Sequence, residues 1–277
     1  MMILLVVGLP HRWAGGATLN ADALSQVLVI AGTGDSQALL RHVARRFEQD
    51  HLSSGILVDV PDSIGSGGGI LALQKGLAQL ARIARPMKQR EQAGLLSIPF
   101  AISPIVFAVH PSVTGIESLT RRQILDIYSG AVNNWAQVGG RDHKIYVVNR
   151  ERGDASRTVL ENSLIKREVD WRAGKIFFST PRAAKAIANH PYTIGFLPLS
   201  VAFGSGLKIL SIDGVQPGEA SVTSGEYPHF LFLELVAKKP VTGWEQKFMR
   251  YLFEPKIRNF MNLIGIYPVS GGLPPGL

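Results

Sequence analysis

Val27-Leu28-Val29-Ile30-Ala31 runs directly into Gly32-Thr33-Gly34-Asp35-Ser36, after which Leu39, Leu40, Val43 and Phe47 recur at helical spacing. A short apolar run, a turn of small residues and an amphipathic stretch read as strand, loop and helix. The same order returns along the chain. Ile56–Val60 reads as a strand, followed by Pro61-Asp62-Ser63-Ile64-Gly65-Ser66-Gly67-Gly68-Gly69 and a helix from about Ile70 to Ala84, which Arg85-Pro86 ends. Phe100–Val109 is strand-like and Arg121–Tyr128 helical. Ile145–Val148 is a strand leading into Asn149-Arg150-Glu151-Arg152-Gly153-Asp154-Ala155-Ser156-Arg157, with a helix from about Ser156 that carries Val159 and Leu164 inward. Phe230–Val236 is a further strand and Trp244–Leu263 a final helical region. This alternation predicts an α/β protein. No internal repeat, linker or low-complexity tract interrupts it.

With 277 residues, 46% of them apolar and 18% charged, the chain can bury a sizeable core and fits two domains better than one. The 29 Lys and Arg against 21 Asp and Glu give a formal charge of +8, which concentrates anions around the protein. The basic residues are scattered, with no zinc finger, RNA-binding signature or aromatic-basic stripe, so no nucleic-acid partner is expected. The sequence has no cysteine, which excludes disulfides, thiolate metal sites, thiol nucleophiles and a lipidated N-terminal cysteine. Met1 to Leu9 is too short to span a bilayer but suits the apolar region of a secretory signal, and the small residues Ala14, Gly15, Gly16 and Ala17 follow it. Residues 1–25 therefore read as a signal-like leader. No basic residue precedes the apolar run, and a buried first strand is the competing reading.

Three strand-to-helix junctions set Gly or Ala beside Ser, Thr or Asp at a helix start: Gly34-Asp35-Ser36, Ser66-Gly67 and Asp154-Ala155-Ser156. Such a junction aims unpaired backbone N–H groups at whatever lies before it, and the helix dipole adds roughly half a positive charge there. Ser and Thr hydroxyls donate directly to ligand oxygens. An anion is the natural guest, although Asp35, Ser36 or Ser156 serves equally as a cap for its own helix. Arg150 adds a planar cation able to bind two oxygens of a tetrahedral anion; a surface ion pair with Glu151 or Glu161 is its alternative role.

Other chemistries find no support. Gly65-Ser66-Gly67-Gly68-Gly69-Ile70 lacks the third glycine of a dinucleotide fingerprint, and there is no Walker loop. His11, His42, His51, His110, His143, His190 and His229 show no paired metal-ligand spacing and read as surface or structural, so neither metal nor cofactor is expected. No nucleophile elbow sits between a strand and a helix. No catalytic residue is assigned.

The stretch Leu119-Thr120-Arg121-Arg122-Gln123-Ile124-Leu125-Asp126-Ile127-Tyr128-Ser129-Gly130, with Asn133-Asn134-Trp135 and Val138-Gly139-Gly140 after it, resembles the periplasmic phosphate-binding proteins of ABC transporters. Ile64-Gly65-Ser66-Gly67-Gly68-Gly69 is similar to that family's first phosphate loop, Asn149 to Arg157 to its Arg-Glu-x-x-Ser-Gly-Thr loop, and Thr193-Ile194-Gly195-Phe196 to its Ile-Gly-Tyr strand. The likeness runs from about Val27 to Val269. It implies a two-lobed type II periplasmic binding-protein fold with a ligand cleft between the lobes. Lobe one would comprise residues 26–104 and 229–277, and lobe two residues 105–228. By the same resemblance Ser36, Ser66, Arg150 and Ser156 fall on phosphate contacts, Asp154 replaces a serine and Ala155 a glycine. Near Ala84-Arg85, where some members carry a proton-accepting aspartate, there is no carboxylate. Gly34, Asp35, Ser36, Ser66, Gly67, Arg85, Arg150, Asp154, Ala155 and Ser156 are thus the expected ligand-binding residues. Asp35 or Asp154 would take the proton-accepting role, and Arg85 would offset the added negative charge.

A carboxylate in the site accepts a proton from phosphate and repels fully ionised sulfate. The resemblance implies a monomeric, exported receptor, soluble and not lipid-anchored, that carries phosphate to an ABC transporter permease in the periplasm. A sensory binding protein with another small anionic ligand is the alternative. An enzyme acting on phosphate esters is the weaker rival, because few groups are left to serve as base or nucleophile.

Overall fold

The computed structural model describes residues 27–165 and 170–269. The signal-like leader lies outside the described residues. The first half of the chain contributes β1 (Val27–Gly32), α1 (Gln37–Asp50), β2 (Leu57–Asp59), α2 (Gly65–Gln74), β3 (Leu80–Ile83) and the long β4 (Leu95–Val109). There follow β5 (Ser118–Leu119), α3 (Arg121–Ser129), β6 (Tyr146–Arg150), α4 (Ala155–Leu160), β7 (Lys175–Phe177) and α5 (Thr180–Asn189). The chain continues through β8 (Thr193–Pro198), α6 (Leu199–Gly204), β9 (Lys208–Ile212), α7 (Glu219–Ser224) and β10 (Phe230–Lys238). It ends with α8 (Gly243–Tyr251), α9 (Pro255–Leu263) and β11 (Tyr267–Pro268).

Strand order runs β2-β1-β3-β10-β4-β8-β6-β7, with β9 and β11 also on β4. β4 is the shared member. Its first part pairs antiparallel with β10 as far as Pro104 opposite Phe230, and from Ile105 opposite Pro198 it pairs with β8. The returning chain crosses at the same level: the Ile105 N–H donates to the His229 carbonyl at 2.8 Å, and the Tyr227 hydroxyl donates to the Ile105 carbonyl at 2.8 Å. Two groups of strands are therefore tied by a pair of adjacent crossings.

Each group has its own aromatic centre. Phe47 on α1 meets Phe248, Tyr251 and Trp244 edge-on at ring-centroid distances of 5.2, 5.1 and 5.9 Å. Beyond the crossing, Tyr128 lies 4.3 Å from Trp171 and 5.6 Å from Phe107. The Thr120–Gln123 capping box starts α3, and Gly130 closes it in the left-handed conformation. Trp135 is buried and donates its indole N–H to the Tyr192 carbonyl at 3.0 Å. The stretch with the most specific family likeness is thus an architectural element of the second group.

Two helical expectations are corrected. Helix α2 starts within the glycine run at Gly65 and stops at Gln74, so Ile70 to Ala84 is not one helix. Leu80–Ile83 is a strand buried at every position, flanked by β1 and β10. A strand buried on both faces loses its alternation and cannot be told from a helix by period alone. Gly69 lets α2 lie against β1, since a Cβ there would come within 2.6 Å of the Gly32 Cα. The final helical region divides into α8 and α9 where Pro255 begins a new first turn.

Candidate functional site

Parallel strands β1, β2, β6 and β7 each deliver the chain from their C-terminal ends into the start of a helix, α1, α2, α4 and α5 respectively. Open α/β sheets collect ligands at such ends. Here the ends from both groups of strands converge on one buried polar cluster. Thr33, Asp35, Ser36 and Gln37 come from one side and Arg150, Asp154, Ser156 and Thr180 from the other, all buried.

The contacts across the cluster form a relay. Arg150 donates from Nη1 to Thr180 Oγ1 at 3.0 Å, and Thr180 Oγ1 donates to Asp35 Oδ1 at 3.0 Å. The other Asp35 oxygen accepts from Thr33 Oγ1 at 2.7 Å. Arg150 also donates from Nε to the Phe177 carbonyl at 2.9 Å and pairs through Nη2 with Asp154 Oδ2 at 2.7 Å. A guanidinium has five N–H groups, so one remains on each terminal nitrogen. Both readings of Arg150 thus meet in part: Glu151 lies 3.4 Å from Nε, but the side chain is buried, and Glu161 pairs with Arg157 instead.

Asp154 caps α4, accepting the Arg157 backbone N–H at 3.0 Å. It carries a second property as well. Burial pushes its carboxyl up to about 7, and the nearby Asp35 charge adds to that, while Arg150 opposes it. Burial outweighs the guanidinium, so near neutral pH this carboxyl both holds and releases a proton. Asp35, by contrast, does not cap α1; its acceptors are turned to the two threonines.

Ser36 Oγ and Ser156 Oγ, one from each side, are buried without a hydrogen-bond partner in the protein, as is Gln37 Oε1. Orphaned buried hydroxyls are costly. Two of them on the loops that Asp35 and Asp154 tie to an Arg150 fork with spare donors fit an oxyanion as guest. Ser66 Oγ accepts the Ala84 N–H at 3.2 Å and keeps its own hydrogen to donate. Gly34 and Ala155 add backbone at the starts of α1 and α4.

Arg85 and Gly67 sit differently. Arg85 is locked in a bidentate pair with Glu91 at 2.8 and 2.9 Å, so its charge is balanced by Glu91 and the offsetting role expected of it is unsupported. Gly67 is exposed, and a Cβ there would lie 3.7 Å from Arg85 Nη2.

Sequence reasoning missed Thr33, Thr180, Arg82 and Arg157. Ser179-Thr180-Pro181 was legible as a helix start, a hydroxyl residue ahead of a first-turn proline. Arg82 had no such signal. Fully buried, it donates to the carbonyls of Thr33 at 2.7 Å, Pro61 at 2.7 Å and Ile30, tying both loops of the first side to β3. Gly32, at φ 143°, is required there because a Cβ would strike the Arg82 carbonyl. Arg157 likewise donates to the Arg150 carbonyl at 2.6 Å.

Residues 17–256 match the family described as the PBP superfamily domain. The chain belongs to the PBP superfamily. The phosphate-binding protein PstS of Bacillus subtilis is 28% identical over 256 residues, spanning 90% of this chain and 83% of the relative. A Clostridium perfringens protein solved with bound phosphate superposes with a TM-score of 0.78 at 22% identity, over 88% of this chain and 100% of that one. An ABC-type phosphate transport receptor from Vibrio cholerae gives 0.63 at 24% identity, over 87% and 99%. The PBP-superfamily chain accordingly has the two-lobed type II periplasmic binding-protein fold, with the polar cluster in its interlobe cleft. Among the described residues, no helix is long and apolar enough to cross a membrane, and no cluster of metal-ligating side chains is present.

Proposed function

We propose that this chain is an exported receptor that captures inorganic phosphate in its interlobe cleft and delivers it, untransformed, to an ABC transporter permease. The observation that carries the reading is the pair of partnerless buried hydroxyls, Ser36 and Ser156, on the two loops whose Asp35 and Asp154 are tied to Arg150. The character of the similar proteins, PstS of Bacillus subtilis and the phosphate transport receptor of Vibrio cholerae, supports it. Residues 1–25 act as the leader, and the lobes are 26–104 with 229–277, and 105–228, divided where β4 changes partners.

The ligand contacts are Ser36, Ser66, Arg150 and Ser156 with the helix-start backbone of Gly34 and Ala155, joined by Asp35 and Asp154. Asp154 shares a proton with the anion. Phosphate supplies or takes that proton, while sulfate has none to give and meets repulsion whenever the carboxyl is ionised. The cluster holds donors matched to a ground-state anion, which is what carriage requires.

Calorimetric titration with phosphate, arsenate, sulfate and molybdate tests the reading. Heat is expected with phosphate and arsenate and not with sulfate. In Asp35→Asn and Asp154→Asn at least one variant should gain sulfate affinity; unchanged discrimination in both sinks the proton-sharing role, and no heat with any anion sinks the ligand.

A further inference from the structure

Outside the buried cluster, α1 and α5 face each other across a groove of about 1000 Å³. Arg41 and Arg45 line it from α1, Arg182 and Lys185 from α5. Spacings of four and three residues put each pair on a single helix face. Arg41 is paired with Asp62 at 3.0 Å. Arg45, Arg182 and Lys185 are exposed and have no ion pair among the described residues. Asp62 is the only carboxylate in the lining.

This arrangement is unfavourable to the protein by itself. Arg182 lies in the first turn of α5, where the helix dipole disfavours a cation. Like charges on facing helices of two lobes repel as the cleft closes. The groove also has a definite inner end. Gly34 and Gln37 on one wall, and Ser179 and Pro181 on the other, bracket Asp35, Ser36 and Thr180 in sequence. Gln37 is buried with an unpartnered oxygen at that end. A concave surface lined by one sign of charge focuses the field and raises the local concentration of counter-ions, which speeds their capture.

We propose that the α1–α5 groove is an oxyanion vestibule, in which Arg45, Arg182 and Lys185 hold the incoming anion by charge alone before it passes to Ser36 and Ser156. The proposal rests on the phosphate reading. It assigns these three side chains to the rate of capture and leaves retention to the buried cluster.

The test uses the triple variant Arg45→Gln, Arg182→Gln, Lys185→Gln. Equilibrium dialysis with radiolabelled phosphate gives Kd, chase with unlabelled phosphate gives the dissociation rate, and their ratio gives the association rate. At low ionic strength the variant should associate about tenfold more slowly with an unchanged dissociation rate. At about 0.5 M salt the two proteins should converge, because exposed charges are then screened within a few ångströms. An unchanged association rate overturns the vestibule, as does a loss of affinity carried by faster dissociation or indifferent to salt. If the unmutated protein fails to bind phosphate at all, the phosphate reading falls and the vestibule falls with it, an outcome distinct from the others.

Discussion

The two lobes approach the same cluster with different chemistry. The first lobe offers backbone, hydroxyls and one carboxylate: Thr33, Ser36 and Ser66 stand near helix starts beside Asp35, and Arg82, its buried cation among the described residues, is turned away into carbonyl groups. The second lobe brings the cation of the cluster and a second carboxylate. Arg150 and Asp154 are paired at 2.7 Å, and Arg157 is held to Glu161 at 2.6 Å behind them. On the proposed reading the first lobe therefore shapes close approach, and the second supplies the cation and the titrating carboxyl that would govern which anion stays and at what pH. Damage to the second should appear in affinity, and damage to the first in stability.

The largest expected effect is at Arg150. Arg150→Ala deletes the fork and leaves Asp154 and Asp35 as uncompensated buried acids beside an anion. Truncating one partner of a desolvated, hydrogen-bonded charge pair in a binding site costs about 2–5 kcal/mol of affinity. Phosphate affinity should drop by at least about a hundredfold in calorimetry, and Arg150→Lys should recover little of it because an ammonium cannot bind two oxygens at fixed geometry. Full recovery with lysine would erase the distinction between the lobes.

Arg82→Met tests the opposite assignment. Three carbonyls lose their donor, and thermal unfolding should show a destabilisation of about 2–4 kcal/mol. Affinity at a temperature where the variant is folded should fall far less than in Arg150→Ala. A loss confined to affinity would move Arg82 into the electrostatic group.

Asp154 gives the comparison its pH dependence. Its carboxyl rises from an ordinary 3.8 to about 7 through burial, so the folded, empty protein holds the proton more tightly than the unfolded chain. The stability this contributes is fully present below 3.8 and is lost as pH rises towards about 7. Binding follows the same proton. Above about pH 7 the complex must recover one shared proton, and phosphate affinity should fall by up to about tenfold per pH unit. In Asp154→Asn only the ionisation of phosphate itself should remain in titrations across that range.

Much of this division was legible in the sequence. Strand-loop-helix order and the loops around Asp35, Ser66 and Asp154 follow from local pattern, and Arg150 stood out as the cation beside them. What the pattern hides is contact between distant segments. Thr180 meets Asp35 across 145 positions, and Arg82 acts on carbonyls up to 52 positions away. The β3 segment shows the same limit: full burial removes the alternation that marks a strand. Arg85 errs the other way, because its sequence neighbourhood points to the site while Glu91 takes both ends of its fork.

The smallest effect expected is at the seam between the lobes. Thr180 Oγ1 accepts a hydrogen bond from Arg150 at 3.0 Å and donates one to Asp35 at 3.0 Å, so it links the cation of one lobe to the carboxylate of the other. Thr180→Val keeps the shape and removes both bonds. Each neighbour loses a partner in the closed form, but in the open form water can replace it, so the cost falls on closure. About 1 kcal/mol, or roughly a fivefold loss of phosphate affinity, is expected with an unchanged unfolding temperature in the absence of phosphate. A lowered unfolding temperature without phosphate would mean that the relay holds the lobes together on its own. The division of labour would then be a feature of the empty fold, and capture of the anion would owe nothing to this contact.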